Sequence, residues 1–352
     1  MSQLFKKKNT IVVFEAGATH NGLLSAKKLI DIATFAGADA VKFQYLEHYT
    51  DLVYDKNIKF EYEYLIKKHN KLQIKKHSEN YYQIVQRRSL SEKNWSKVIQ
   101  YAKRKGIEIF FTCPSIKSLK FCKKNKISSI KFPSLDINNH ERIKELKKYN
   151  FIIQIDTGLA NISEIKKTIK KIKNQKKNNQ IVVHHCPTGY PANLHNINLK
   201  MVGSLNKIKN IITAFSDHSP NYETSILAIA AGAKLIEKTI TLNKFTRSPE
   251  HIMSLEKKDA KIFVDKIRRL EIIMGSPDRK INNFIKNKRN KWSRSLHIDE
   301  DVKKGQKLLN TKFSFKLPGY GIQTKEYRYL LNKKFTRNLK KHTNILREYL
   351  SK

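Results

Sequence analysis

Eight short apolar runs, each followed by a stretch patterned as an amphipathic helix, constrain this chain more than any other feature. The runs are rich in Val, Ile and Phe and fall at 11–14, 40–44, 108–112, 129–132, 151–155, 181–185, 211–215 and 234–240. Helical spacing of apolar residues fills stretches such as 24–35, 92–105 and 162–172. Strand–helix alternation repeated eight times within about 270 residues predicts an α/β chain folded as a (β/α)8 barrel. A doubly wound open sheet is the rival, and it needs a Gly-rich phosphate turn after an early strand. The first turn, Glu15-Ala16-Gly17-Ala18-Thr19-His20-Asn21-Gly22, lacks that spacing.

Charge is the compositional outlier, with 71 Lys+Arg against 30 Asp+Glu and a net charge of +41. Lysines number 58 and arginines 13. Arg is the residue that reads bases bidentately, so this balance argues against a specific nucleic-acid reader. Lys, Ile, Asn, Tyr and Phe, all abundant here, share A/T-rich codons, and drift of base composition is a sufficient cause of the charge. Cys113, Cys122 and Cys186 cannot pair completely and lack metal-site spacing, so reduced thiols in a cytoplasmic protein are expected. No apolar run approaches the roughly 18 residues that a membrane helix needs, and no apolar segment follows the basic start of the chain.

Two segments break the barrel rhythm. Residues 46–90 form a long excursion rich in Tyr, Lys and His, of a length that marks a lid or a partner contact. After Met274-Gly275-Ser276-Pro277 the pattern changes. The barrel domain is placed at 1–277, a Lys/Asn-rich linker at 278–290, and a small domain at 291–352. About 60 residues give a marginal core, so this tail is expected to pack on something, such as a second subunit.

Barrel enzymes place their chemistry at the C-terminal ends of the strands. Here those ends carry Glu15, Lys42 with Gln44, Thr112, Lys131 with Ser134, Asp156 with Thr157, His185, Thr188 and Tyr190, Ser216-Asp217-His218, and Glu237. Buried lysines at positions 42 and 131 need an anionic substrate or a carboxylate partner. His218, just past a strand, is a candidate metal ligand, which His20, His184, His185 or His251 would join only if the fold brings them together.

These segments resemble the N-acetylneuraminate (sialic acid) synthase family. The resemblance runs through Phe14 to Gly22, Gly37-Ala38-Asp39-Ala40-Val41-Lys42-Phe43-Gln44, Lys131-Phe132-Pro133-Ser134, His185-Cys186-Pro187-Thr188-Gly189-Tyr190-Pro191, Ser216-Asp217-His218-Ser219 and Pro249-Glu250-His251. The tail, through Lys304-Gly305 to Pro318-Gly319-Tyr320-Gly321, is similar to the family's antifreeze-like (SAF) domain. The resemblance implies condensation of phosphoenolpyruvate with an amino-sugar aldehyde, giving a nonulosonic acid and phosphate. It implies a divalent metal, Mn²⁺ or Mg²⁺, and a homodimer in which one SAF domain caps the partner's barrel. By resemblance, Lys42, Lys131, Thr112, Ser134 and Ser216 hold phosphoenolpyruvate, and Thr188 is a further substrate-binding residue. Glu15, Gln44, Tyr190, Glu237 and Glu250 face the sugar, and His218 holds the metal.

Four positions depart from the family pattern. Thr239 stands where a second metal-binding His is expected, and Asp156 where a phosphate-binding hydroxyl is expected. Leu317 replaces the Arg of the SAF domain, and Glu250 replaces an Asp. These substitutions imply altered substrate or metal use, with metal binding weakened by the missing imidazole. Competing readings are a homologue that binds a sugar or phosphate ligand without turnover, a Schiff-base aldolase using Lys42 or Lys131, and a polyanion-binding protein.

Overall fold

The apolar runs close into one parallel barrel because each is followed by enough chain for a crossover helix. The structure, a computed structural model, describes residues 4–7, 9–175, 180–278 and 280–351. In chain order the strands are β1 (Ile11–Glu15), β2 (Ala40–Gln44), an inserted pair β3 (Lys59–Lys68) and β4 (Lys71–Asn80), β5 (Glu108–Thr112), β6 (Ser129–Phe132), β7 (Ile152–Asp156), β8 (Ile181–His185), β9 (Ile212–Asp217) and β10 (Leu235–Thr239). Around the closed sheet they run β1-β2-β5-β6-β7-β8-β9-β10, each parallel to the next, and β10 pairs back onto β1. All eight expected runs are barrel strands, with ends shifted by at most two residues. Parallel neighbours cannot be joined by a tight hairpin, so every connection carries a helix.

The helices are α1 (Leu23–Ala36), α2 (Tyr81–Arg88), α3 (Glu92–Arg104), α4 (Ile116–Lys124), α5 (His140–Glu145), α6 (Ile162–Gln175), α7 (Lys200–Asn206), α8 (Glu223–Ala230) and α9 (Lys257–Met274). Helix α1 buries Ala26, Leu29, Ile30 and Ala33, the i, i+3, i+4, i+7 stripe that faces the sheet. Fully burying a Leu or Ile contributes roughly 1.5–3 kcal/mol, so this stripe stabilises the helix more than its propensity does. Gly37 ends α1 at φ 83, a left-handed conformation that a residue with a Cβ adopts only at a cost.

The excursion at 46–90 is built from β3, β4 and α2. The two strands pair antiparallel over their full length, Lys59 opposite Asn80 and Lys68 opposite Lys71. Leu72 and Ile74 on β4 are exposed, whereas Tyr62 on β3 is buried and donates its hydroxyl to the Arg247 carbonyl at 3.2 Å. The base of the excursion packs through Leu46, Val53 and Val85.

The chain divides into two compact units between Gly275 and Ser276. Part of the stretch expected to be a linker is a helix, α10 (Asn283–Trp292). The Lys/Asn richness that reads as linker conceals a start signal, since the Asn282 side chain accepts the Ile285 N–H at 2.9 Å. No Pro or Gly interrupts the ten residues that follow. Beyond it, β11 (Ser295–Ile298) pairs antiparallel with β12 (Phe313–Lys316). The second unit has its own small core, including Leu296, Ile298, Leu308, Ile322, Phe335 and Ile345. Among the described residues no helix is long and apolar enough to cross a membrane.

Candidate active site

A cavity of about 180 Å³ lies where the barrel strands end. Strand ends supply Glu15, Lys42, Gln44, Thr112, Asp156 and Glu237 to its wall, and loops supply Ser134, Tyr190, His218 and Glu250. Lys131 and Ser216 do not line the cavity but are buried. Thr188, expected to hold substrate, is exposed and outside the lining. The chain turns away after Cys186, where Gly158 approaches so closely that a Cβ on it would meet the Cys186 carbonyl.

The strand register explains why the charged groups meet. Glu15 and Lys42 are direct partners on β1 and β2, and Ser216 and Glu237 on β9 and β10. The Lys42 ammonium sits 2.6 Å from Glu15 and 2.6 Å from Glu237. The Lys131 ammonium lies 2.8 Å from Glu237, 2.8 Å from Asp156 and 2.9 Å from the Ser216 hydroxyl. Both lysines therefore have carboxylate partners within the barrel. A short approach of the chain helps set Glu15: the Gly17 N–H donates to its carboxylate, and a Cβ at Gly17 would collide with the Gln44 backbone.

The electrostatics of this floor follow from burial and pairing. Burial pushes the Glu237 carboxyl up, but the ammoniums of Lys131 and Lys42 outweigh it and hold the group well below the usual carboxylate range. Burial pulls the Lys42 ammonium down, but Glu15 and Glu237 overcome it and the net direction is well above ordinary lysine. An amine held protonated in this way is not a Schiff-base nucleophile, which counts against the aldolase reading for Lys42. Glu15 shifts upward, through burial and the neighbouring Glu237 charge, against the pull of Lys42. Two ammoniums face three carboxylates, so one proton held on Glu15 would bring the cluster to neutrality.

The layer beneath holds Ser216 in place. His184 meets the Ser216 hydroxyl with Nδ1 at 3.0 Å and the Gln154 carbonyl oxygen with Nε2 at 2.8 Å, and Gln154 in turn donates to Ser129. Burial and the Lys131 charge pull His184 down to about 3, so it is a neutral positioning group. Lys238, fully buried, donates to the carbonyls of Ser219 and Asn221 and pairs with Asp217 at 3.3 Å, which shapes the turn carrying His218.

His218 lies against the Tyr190 ring, with centroids 4.7 Å apart, and its Nδ1 meets the Pro187 carbonyl at 3.1 Å. Of the candidate co-ligands, His20 lies outside the lining of this cavity and the others are committed elsewhere. His184 serves Ser216, His185 Nε2 meets the Ile197 carbonyl at 2.6 Å, His251 Nδ1 meets Thr241 at 2.7 Å, and Asp156 pairs with Lys131. Among the described residues no group of three or more His, Cys, Asp or Glu side chains is arranged to hold a metal. The donor set around His218 thus does not fit a Mn²⁺ or Mg²⁺ centre of the usual kind.

One wall was missed by sequence reasoning. Leu52, Phe60, Tyr81, Ile84 and Arg88, all from the 46–90 excursion, line the cavity. Phe60 stacks on Tyr81 at 5.6 Å, and the Arg88 guanidinium stands 4.0 Å from Glu250. Burial raises Glu250 to about 7, against the pull of Arg88. The length and aromatic content of the excursion were the available signal, but nothing in the sequence singles out Arg88. In the second unit, Leu317 is half exposed and Lys316 is tied to Asp299 at 2.9 Å.

Comparison with known proteins agrees with this architecture. Residues 29–279 match the model of the NeuB family. The chain is 33% identical over 343 residues to an N,N'-diacetyllegionaminic acid synthase of Campylobacter jejuni, covering 97% of this chain and 100% of that one. It is 29% identical to a pseudaminic acid synthase of the same species, covering 95% of this chain and 94% of that one. It is also 26% identical to human N-acetylneuraminate-9-phosphate synthase, covering 77% and 72%. A crystal structure of sialic acid synthetase from Leptospira borgpetersenii shares the fold, with a TM-score of 0.68, 24% identity, and coverage of 80% of this chain and 90% of that one.

Proposed function

Because the chain belongs to the NeuB family of synthases, we propose that it condenses phosphoenolpyruvate with an amino-sugar aldehyde, giving a nonulosonic acid and inorganic phosphate. The observation that carries this reading is buried Lys42 in the wall of a cavity of small-substrate size, with buried Lys131 behind it and joined to it through Glu237. In the reaction, the enol carbon of phosphoenolpyruvate bonds to the aldehyde carbon, and the aldehyde oxygen takes a proton. Water adds to the resulting cation at C2, the C–O bond to phosphate breaks, and the proton on the new hydroxyl is lost to leave the keto acid.

Preorganised cations and hydroxyls hold the anionic substrate at Lys42, Thr112 and Ser134, with Lys131 and Ser216 buried behind them. In this reading Glu250, whose carboxyl burial raises to about 7, hands a proton to the forming alkoxide. Glu15, Gln44, Tyr190 and Glu237 orient the sugar and its reacting face. His218 remains the residue for a weakly held divalent metal, and no step here depends on it. The SAF identity of the second unit, and a homodimer in which that unit covers the partner's barrel, belong to the same reading.

A ligand-binding homologue without turnover is the second reading, favoured by Asp156, which already pairs with Lys131 where a phosphate oxygen is expected. Phosphate release from phosphoenolpyruvate with a panel of hexosamines separates the two. Turnover with at least one sugar is expected, and Lys131→Ala should weaken phosphoenolpyruvate binding by about 2–5 kcal/mol. Binding that Lys131→Ala leaves unchanged in calorimetry would remove the lysine from the site. Light scattering at micromolar concentration checks the dimer: a dimer is expected, and a monomer overturns that part of the reading.

A further inference from the structure

Beside the site described above, and sharing Arg88 with it, lies a second cavity of about 240 Å³ lined by His20, Arg87, Arg88, Arg247, Ser248 and His251 among others. Among the described residues no carboxylate lines it. Its three cationic side chains are all arginines, in a chain where lysines outnumber arginines 58 to 13. Arginine is the side chain whose planar fork matches a phosphate oxygen pair.

Two of the lining groups are buried and poorly satisfied. His20 is 2% exposed, and among the described residues neither ring nitrogen has a hydrogen-bond partner. It is held edge-on against Phe43 and Trp95, with centroids 5.7 and 5.5 Å away, so the ring is set by packing and not by polar contacts. Arg88 is 8% exposed, yet its contacts are a 3.4 Å bond to the Pro249 carbonyl and the 4.0 Å approach to Glu250. Arg87 has Glu79, and Arg247 makes no ion pair among the described residues. A buried guanidinium without a close counter-ion, and a buried imidazole with no partner, are each costly. One tetrahedral oxyanion accepting from both removes both costs.

We propose that this cavity is a second anion site that takes a phosphate group, distinct from the lysine floor. The group has two possible sources: free inorganic phosphate, or a phosphate ester carried by an acceptor sugar whose body lies in the first cavity, on the other side of Arg88. The second source rests on the condensation reading, whereas the site itself does not.

The test is titration of inorganic phosphate into the full chain, followed by the imidazole carbon resonances of labelled histidine. His20→Phe, which keeps the aromatic packing, identifies the His20 signal. A saturable shift of that signal is expected, with the affinity weakened on the order of tenfold in Arg88→Gln and in Arg247→Gln. Arg247 is exposed, so that variant does not threaten folding. A His20 resonance that ignores millimolar phosphate, or an affinity indifferent to both arginines, overturns the proposal. Repeating the titration with N-acetylmannosamine 6-phosphate distinguishes the sources. A shift at lower concentration than free phosphate assigns the site to the acceptor, and a shift no tighter than free phosphate assigns it to the free ion. Both readings are of binding alone, so they stand whether or not phosphoenolpyruvate is consumed.

Discussion

The floor of the first cavity and its rim solve opposite electrostatic problems. On the floor, Lys42 and Lys131 are each bracketed by two carboxylates at 2.6–2.8 Å, and Glu237 serves both. At the rim, Arg88 and Glu250 stand 4.0 Å apart and satisfy each other poorly. The floor is built from strand ends locked by barrel register, whereas the rim is built from an inserted segment and a loop. Regular backbone places charges to within bonding distance, and the irregular segments leave charge uncommitted and available to a ligand.

The strongest way to break this contrast is to remove the shared carboxylate. Glu237→Gln takes from both buried ammoniums the one carboxylate they share, and breaking a buried pair costs about 3–5 kcal/mol. Urea unfolding should report a loss of that size, together with loss of activity. A loss below about 1 kcal/mol would mean that Glu15 and Asp156 alone compensate the lysines, and that the floor is no tighter than the rim.

Glu250 offers the next effect, through pH. Its folded value is raised to about 7 from an ordinary 4.5, so the protonated form is favoured in the folded chain. The stability this confers is fully present below pH 4.5 and is lost as pH rises through about 7, a difference on the order of 3 kcal/mol. Glu250→Gln should remove that slope. Unfolding free energies of the two proteins, measured from pH 4.5 to 8, should converge at low pH and separate in favour of the variant above 7. Parallel curves would place Glu250 in a wetter or better-paired setting than the structure gives it.

The smallest expected effect concerns His218, which lines the first cavity beside Tyr190. Thr239→His restores the imidazole implied by family resemblance and should tighten Mn²⁺ binding by about tenfold, or 1.4 kcal/mol. Competition with a chelator measures it. No gain would mean that position 239 does not reach the metal, and that the lost imidazole is not what separates this site from a metal centre.

The outcomes differ by region for the same reason. The strand ends were legible because eight repeats of one pattern constrain one another, although Lys131 and Ser216 end up buried outside the cavity lining. Glu15, Lys42, Gln44, Thr112 and Glu237 all reach the cavity. Thr188 does not, because a loop residue two positions past its neighbour in a motif carries no register. The helix at Asn283–Trp292 was hidden by composition, since Lys and Asn read as solvated chain until Asn282 is seen capping it. Arg88 was invisible because its contribution depends on how a 45-residue excursion folds back, and neither periodicity nor motif spacing reports that.

By itself, then, the sequence determined the barrel, its eight strands in order, and the charged character of its strand ends. Periodicity and burial are properties of neighbouring residues and can be read along the chain. Tertiary structure alone decided which charges would pair, that Lys131 would be shared between Glu237 and Asp156, and that Arg88 would stand between two cavities. Those outcomes rest on distances between groups 25 to more than 160 residues apart, which only closure of the barrel and folding of the excursion against it bring into being.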